Sequence, residues 1–146
     1  MAMQKRGAII LVSHAVAILP VPALANYEAT KACLDYFGPA LSFEMKPHNV
    51  DVLVVAPGFT NTKMKDRVKI DTSIVMMPTE EASDVVDHSL KMQGYTSYTV
   101  SGIFNWITGM VLSDLPEKAR SFVFSTMMTK PIPKQTLRMP LLKKEL

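Results

Sequence analysis

A phenol and an ammonium four residues apart, Tyr27 and Lys31, are the pair in this chain best suited to moving a proton. On a helix such positions lie one above the other on a single face. A neighbouring cation favours phenolate. The spacing therefore predicts that Tyr27 exchanges its proton nearer neutral pH than its free value of about 10 allows, as acid–base work requires. Spacing alone is thin support, because a half-exposed helix carrying an aromatic and a lysine makes the same pattern.

The elements that must position the pair narrow the reading. Gly7-Ala8-Ile9-Ile10-Leu11-Val12 is a short apolar run of the kind a parallel sheet buries. Pro20 to Asn26 leads straight into the motif, and the helix bearing it is expected to run to about Lys46. Cys33, Phe37 and Leu41, with Tyr36, Ala40 and Phe43, form its apolar stripe, which the periodicity assigns to the core. Gly38-Pro39 interrupts it. A proline there removes a backbone bond and clashes with the carbonyl of Asp35 at about 3 kcal/mol, so a kink or break is expected.

Pro47-His48-Asn49 turns the chain into a second strand, Val50 to Ala56, which ends in Pro57-Gly58-Phe59-Thr60-Asn61-Thr62. Residues 60–77 read as a loop or short helix. Thr79 is placed as an N-cap with Glu80 and Glu81 in the first helical turn. Ala82, Val85, Val86, Ser89 and Leu90 then repeat at three and four, and Gly94 closes that helix before a third strand, Tyr95 to Val100. Strand–helix–strand–helix–strand is the alternation of a parallel α/β sheet.

Two more helices are expected, one lined by Ile103, Trp106, Ile107, Met110 and Val111, the other by Ala119, Phe122, Val123 and Met127. Either could cover a substrate mouth or rest on a membrane surface; packing is favoured, because neither polar face is strongly basic. The organisation is thus a sheet-bearing part over 1–101, a helical extension over 102–130 and an extended basic tail over 131–146, where prolines 131, 133 and 140 oppose regular structure.

Composition limits the classes of function. At 146 residues and 48% hydrophobic content the chain suits one globular domain, and its net charge of +3 is gathered in the tail. No basic stripe with interleaved aromatics runs through it, which argues against nucleic acid. Cys33 is the single cysteine, so no internal disulfide or cysteine zinc cluster forms; it is expected to pack as a small apolar residue. His48 and His88 read as solvated, with no ligand partner and no metal site. No stretch reaches the roughly 20 apolar residues that span a bilayer.

The two ends carry sorting-like patterns. Lys5 and Arg6, the apolar run 8–19 and Ala23-Leu24-Ala25 satisfy the recipe for a secretory signal cleaved after Ala25, which would remove the first strand. The last four residues, Lys143-Lys144-Glu145-Leu146, place two lysines as a cytosolic dilysine retrieval signal does.

Taken together, the strand, the Tyr-x-x-x-Lys turn and Pro57-Gly58-x-x-x-Thr62 resemble the short-chain dehydrogenase/reductase family. More narrowly, the chain looks like the microsomal branch of 17β-hydroxysteroid dehydrogenases and very-long-chain 3-oxoacyl-CoA reductases. The resemblance runs from about Lys5 to about Lys134 and covers the second half of that family's domain, a Rossmann-type doubly wound parallel sheet.

It implies NADP(H), a lipid or steroid carbonyl substrate, and an endoplasmic-reticulum membrane location. It also implies Tyr27 as acid/base and Lys31 as its partner and ribose ligand, with Pro57, Gly58 and Thr62 beside the nicotinamide. Where the family has its substrate-orienting serine, thirteen residues before the tyrosine, this chain has His14. Ser13, next to it, is expected to point the other way along the strand.

The glycines at 7, 38, 58, 94, 102 and 109 are scattered, and none makes the clustered turn that opens a phosphate-binding helix. A truncated, inactive reductase is the reading these departures favour, with the first strand a bare sheet edge. Pairing of that edge with a full-length relative or a second copy is the alternative, and a processed secretory-pathway protein the third.

Overall fold

The computed structural model describes residues 1–15, 17, 24–63 and 79–129. Its centre is β2 (Val50–Ala56), where Val52, Leu53, Val54, Val55 and Ala56 are all essentially inaccessible. β1 (Gly7–Val12) lies parallel along one side, in register from Gly7 opposite Val50 to Val12 opposite Val55. β5 (Tyr98–Val100) lies parallel along the other, from Val54 opposite Tyr98 to Ala56 opposite Val100. The order β1–β2–β5 therefore brings the carboxyl ends of three strands together. In open α/β sheets that is where ligands bind.

Helix α1 (Ala25–Met45) crosses β2, and α2 (Ala82–Met92) also packs on it. β3 (Thr60–Asn61) and β4 (Glu80–Glu81) make a separate short parallel pair. Helices α3 (Ile103–Ser113) and α4 (Glu117–Thr129) follow.

The structure departs from the sequence reading at several places. Helix α1 runs unbroken through Pro39. Gly38 explains how it docks: a Cβ there would overlap Cγ2 of Val54, so only glycine lets the helix lie this close to β2. That docking turns the expected apolar stripe outward. Cys33, Tyr36, Phe37, Ala40 and Phe43 are exposed, while Glu28 and Gly38 are buried. Cys33 is accordingly an exposed free thiol rather than a packed residue.

Among the described residues β1 has no neighbour on its outer side, and its side chains alternate between half-buried and exposed, as a bare edge dictates. Glu80 and Glu81 are not in a helix: the Glu80 amide bonds the Phe59 carbonyl at 2.8 Å, and the segment pairs as β4. Helix α2 starts at Ala82, with Asp84 as its first-turn acid.

β5 is shorter than expected, because a turn through Gly94 at φ 80° leaves Tyr95 outside it. His88 is half-buried and hydrogen-bonds Thr99 Oγ1 at 2.8 Å, so it is not a solvated residue. The loop or short helix expected over 60–77 lies, from residue 64 on, outside the described residues, as does the tail 131–146.

Candidate active site

The carboxyl ends of β1 and β2 are laced together beyond the last ladder bond. The Ser13 amide donates to the Val55 carbonyl and the Ala15 amide to the Pro57 carbonyl, each at 2.8 Å. This carries Ser13 and His14 alongside the turn that starts at Pro57. Helix α1 is then stitched to the same spot twice. The Lys31 ammonium donates to the Val12 carbonyl at 2.8 Å, and the Ser13 hydroxyl donates to the Lys31 carbonyl at 3.1 Å. Ser13 is buried and committed to the helix backbone. His14 instead faces the phenol.

The His14 ring meets Tyr27 edge-on, with centroids 5.8 Å apart and planes at 74°. Its other flank meets Phe59 in the same way, at 6.0 Å and 87°. Lys31 Nζ stands 5.6 Å from the centroid of the Tyr27 ring, within cation–π range. Tyr27, His14 and Lys31 thus form one cluster over the strand ends. Pro57 and Gly58 are buried beneath it at the end of β2, and Thr62 is exposed beyond β3.

The electrostatics correct one expectation. Tyr27 is shifted upward, not downward: burial raises its pKa, and the Glu28 carboxylate raises it further. The ammonium sits over the ring and spends a hydrogen bond on Val12, so it does not dominate at the hydroxyl. Burial, assisted by the Lys31 charge, drops His14 to about 4, which leaves a neutral imidazole at physiological pH.

Two carboxyls that the sequence reading missed lie on the inward face of α1. Glu28 is lifted to about 7 by burial and then by Asp35. Asp35 is raised by burial, against the opposing pull of the Ser13 hydroxyl and the Lys31 ammonium. Among the described residues the carboxylate oxygens of Glu28 have no hydrogen-bond partner. Burial and the Asp35 charge push Tyr98, on β5, up to about 12. Their spacing of seven on one helix is the signal that places Glu28 and Asp35 together.

Asn105 was also missed. Its buried amide donates to Glu80 Oε1 and to the Ser101 carbonyl, both at 2.9 Å. A Cβ on Gly58 would overlap that amide, so the space beside Gly58 belongs to Asn105 of α3. An asparagine in the first turn of a mostly apolar helix was the available clue.

The short chain dehydrogenase family profile matches residues 1–73, and the chain belongs to that family. It is similar to very-long-chain 3-oxoacyl-CoA reductases. The identity is 34% over 128 residues with that of Rattus norvegicus, covering 88% of this chain and 38% of the relative. With the Homo sapiens protein it is 33% over 116 residues, covering 80% and 36%. The chain therefore spans less than two fifths of these relatives.

The fold is shared with solved structures of a 7β-hydroxysteroid dehydrogenase (TM-score 0.73, 24% identity, 84% of this chain and 49% of that one). It is also shared with a short-chain dehydrogenase from Burkholderia cenocepacia in complex with NADP (TM-score 0.66, 24% identity, 83% and 50%). Both show the parallel Rossmann-type sheet.

Lys31, Pro57, Gly58 and Thr62 gather at or beyond the strand ends, but no glycine-rich turn for pyrophosphate exists in this chain.

Proposed function

We propose that this chain carries the substrate-side half of an NADPH-dependent carbonyl reductase site, acting in its parent family on a 3-oxoacyl-CoA or a 17-ketosteroid. The observation that carries the reading is Tyr27 held against Lys31 and His14 over the strand ends. Tyr27 holds a proton at its hydroxyl and gives it to the substrate carbonyl oxygen. The phenol is protonated at neutral pH and so holds the proton to be given, but its upward shift makes it a weaker acid than the free side chain and counts against turnover.

Lys31 orients the phenol and offers its remaining N–H donors to the cofactor ribose. Pro57, Gly58 and Thr62 would border the nicotinamide, as the family resemblance implies. The cofactor, when bound, supplies the hydride that reduces the carbonyl carbon. His14, wedged between Tyr27 and Phe59, occupies the place of the substrate-orienting serine. Its ring is larger and lies against the phenol edge. We read it as a loss rather than a substitute, since catalytic geometry tolerates errors of about an ångström.

By itself the chain is then expected not to turn over, for want of a phosphate-binding turn. Titrating it with NADPH tests this. Unchanged nucleotide fluorescence is the expected result, and saturable enhancement at micromolar protein would rescue the enzyme.

The outer side of β1, which has no partner strand among the described residues and exposes Ile10 and Val12, favours a second reading. In it the chain associates through this edge with a full-length reductase or another copy of itself. Co-purification of tagged chain with such a reductase, abolished by Ile10→Lys, supports it. The dilysine at 143–144 suits the cytosolic face of the endoplasmic reticulum, and loss of that location in Lys143→Ser/Lys144→Ser tests it.

A further inference from the structure

The Ser13 amide donates to the Val55 carbonyl at 2.8 Å, so Ser13 and its alternates along β1 turn their backbone groups toward β2. These groups change sides at every residue of a strand. The N–H and C=O of Ala8, Ile10 and Val12 therefore point outward. Among the described residues, only the Val12 carbonyl of that set has a partner, the Lys31 ammonium at 2.8 Å. Charges, prolines and bulges are the devices that keep sheet edges from pairing. Gly7–Val12 carries no charge and no proline, and its register with β2 runs without a bulge.

The side chains add to this. Ile10 lies opposite Leu53 and Val12 opposite Val55, and residues paired in this way share a face of the sheet. That face belongs to α2, because Thr99, opposite Val55 on its other side, bonds His88. Helix α2 buries Val85 and Ser89 against the sheet. His88 turns to the β5 flank, so Val86 and Leu90, on the contrary flank of the helix, turn toward β1. They are 55% and 61% exposed, and Ile10 and Val12 are 36% and 51% exposed. Edge and helix thus make one apolar step, with β1 as its floor and α2 as its wall.

We infer that two copies of this chain pair along β1, antiparallel about a two-fold axis at Ile10, and so join two three-stranded sheets into one. This rests on the edge-association reading above and names the partner. In that register Ile10 exchanges both backbone bonds with Ile10 of the second copy, and the Val12 N–H meets the Ala8 carbonyl. The Val12 carbonyl has a second lone pair for the Ala8 N–H, beside the Lys31 ammonium. A two-fold perpendicular to the sheet keeps each face on its own side. The two apolar steps then merge into one trough walled by both α2 helices. A second copy presents the same uncharged edge centred on the same residue, so one geometry satisfies both chains. Arg6 falls opposite His14, a neutral imidazole, and no like charges face each other within the strands.

Light scattering on the full chain at micromolar concentration tests the pairing, and the expected mass is twice the 16.2 kDa of one chain. Ile10→Lys sets two ammoniums directly opposite each other, and Ile10→Glu two carboxylates. Each should weaken association roughly tenfold or more. Mixing the two variants should restore it, because opposite charges then meet at the axis. Ile10 is exposed, and an unchanged far-ultraviolet circular dichroism spectrum verifies each fold.

Crosslinking reads the register. In a Cys33→Ser background, which removes the exposed native thiol, Ile10→Cys should form a disulfide-linked dimer under copper–phenanthroline oxidation. Directly opposite residues of a hydrogen-bonded pair have Cα atoms about 5.5 Å apart, within disulfide reach. Ala8→Cys in the same background should not crosslink, because its counterpart lies roughly 14 Å away along the second strand. A monomeric mass overturns the inference, while co-purification with a reductase still decides the broader reading. A dimer that survives both charge substitutions overturns it as well, since the contact then lies on another surface. So does crosslinking through Ala8→Cys in place of Ile10→Cys.

Discussion

Lys31 reaches back from α1 to β1, where its ammonium donates to the Val12 carbonyl at 2.8 Å. That bond, with the return bond from the Ser13 hydroxyl to the Lys31 carbonyl at 3.1 Å, ties the helix carrying Tyr27 to the strand end carrying His14. The lysine is thus a structural clasp as well as a member of the catalytic-type pair. Replacing it with Met keeps the aliphatic stem but removes a charge-assisted bond, at a cost of about 1–2 kcal/mol. Urea unfolding of Lys31→Met should show a lower midpoint with unchanged slope.

The two titrating neighbours of Tyr27 pull stability in opposite directions with pH. Glu28 has a folded pKa of about 7, above its ordinary 4.5. The native state therefore binds more protons there, and this contribution is lost as pH rises through about 7. His14 is depressed from 6.5 to about 4, so its contribution is present above the ordinary value and lost as pH falls through about 4. The two slopes offset each other between roughly pH 4.5 and 6.5, and above that range stability falls.

Glu28→Gln should remove the fall and leave a curve that rises to a plateau. His14→Gln should leave a curve that declines from pH 4.5 to 7. Thermal melts across this range distinguish the two. The raised Asp35 adds to the decline and is common to both variants.

Gly38→Ala pits two effects against each other. Alanine favours a helix interior by about 1 kcal/mol. Its Cβ, however, lands on Cγ2 of Val54, a β-branched side chain fully buried in β2 with no room to move. Overpacking of this kind costs about 1–3 kcal/mol beyond that gain, so net destabilisation is expected. Adding Val54→Ala should recover part of the loss from the glycine substitution, and a double-mutant cycle measures the coupling.

Asn105→Leu should destabilise by about 1–3 kcal/mol despite adding apolar bulk. It leaves Glu80 and the Ser101 carbonyl without their amide donor. Leucine also presses on the Gly58 backbone. Asn105→Asp should be worse, because it sets a second carboxylate against Glu80. Chemical denaturation of the three proteins at neutral pH gives the order wild type, Leu, Asp.

By itself the sequence determined the local elements that one period or one motif can specify. Val50 to Ala56 reads as a buried strand because every residue but Asp51 is apolar, and it is that strand with those ends. Tyr27 and Lys31 share a helix face because four residues make about one turn. Gly38-Pro39 misled, because the cost of a proline in a helix is local, while the packing of Gly38 on Val54 joins two elements far apart in the chain.

Tertiary structure alone decided which way each helix faces. Periodicity identifies a stripe but not its side, and close approaches at Gly38 and Gly58 turned the apolar stripes of α1 and α3 outward. It also decided the charge state around Tyr27. A pKa depends on every neighbour and on burial, and neither Glu28 at the hydroxyl's flank nor the Val12 carbonyl at the ammonium can be read from a spacing of four.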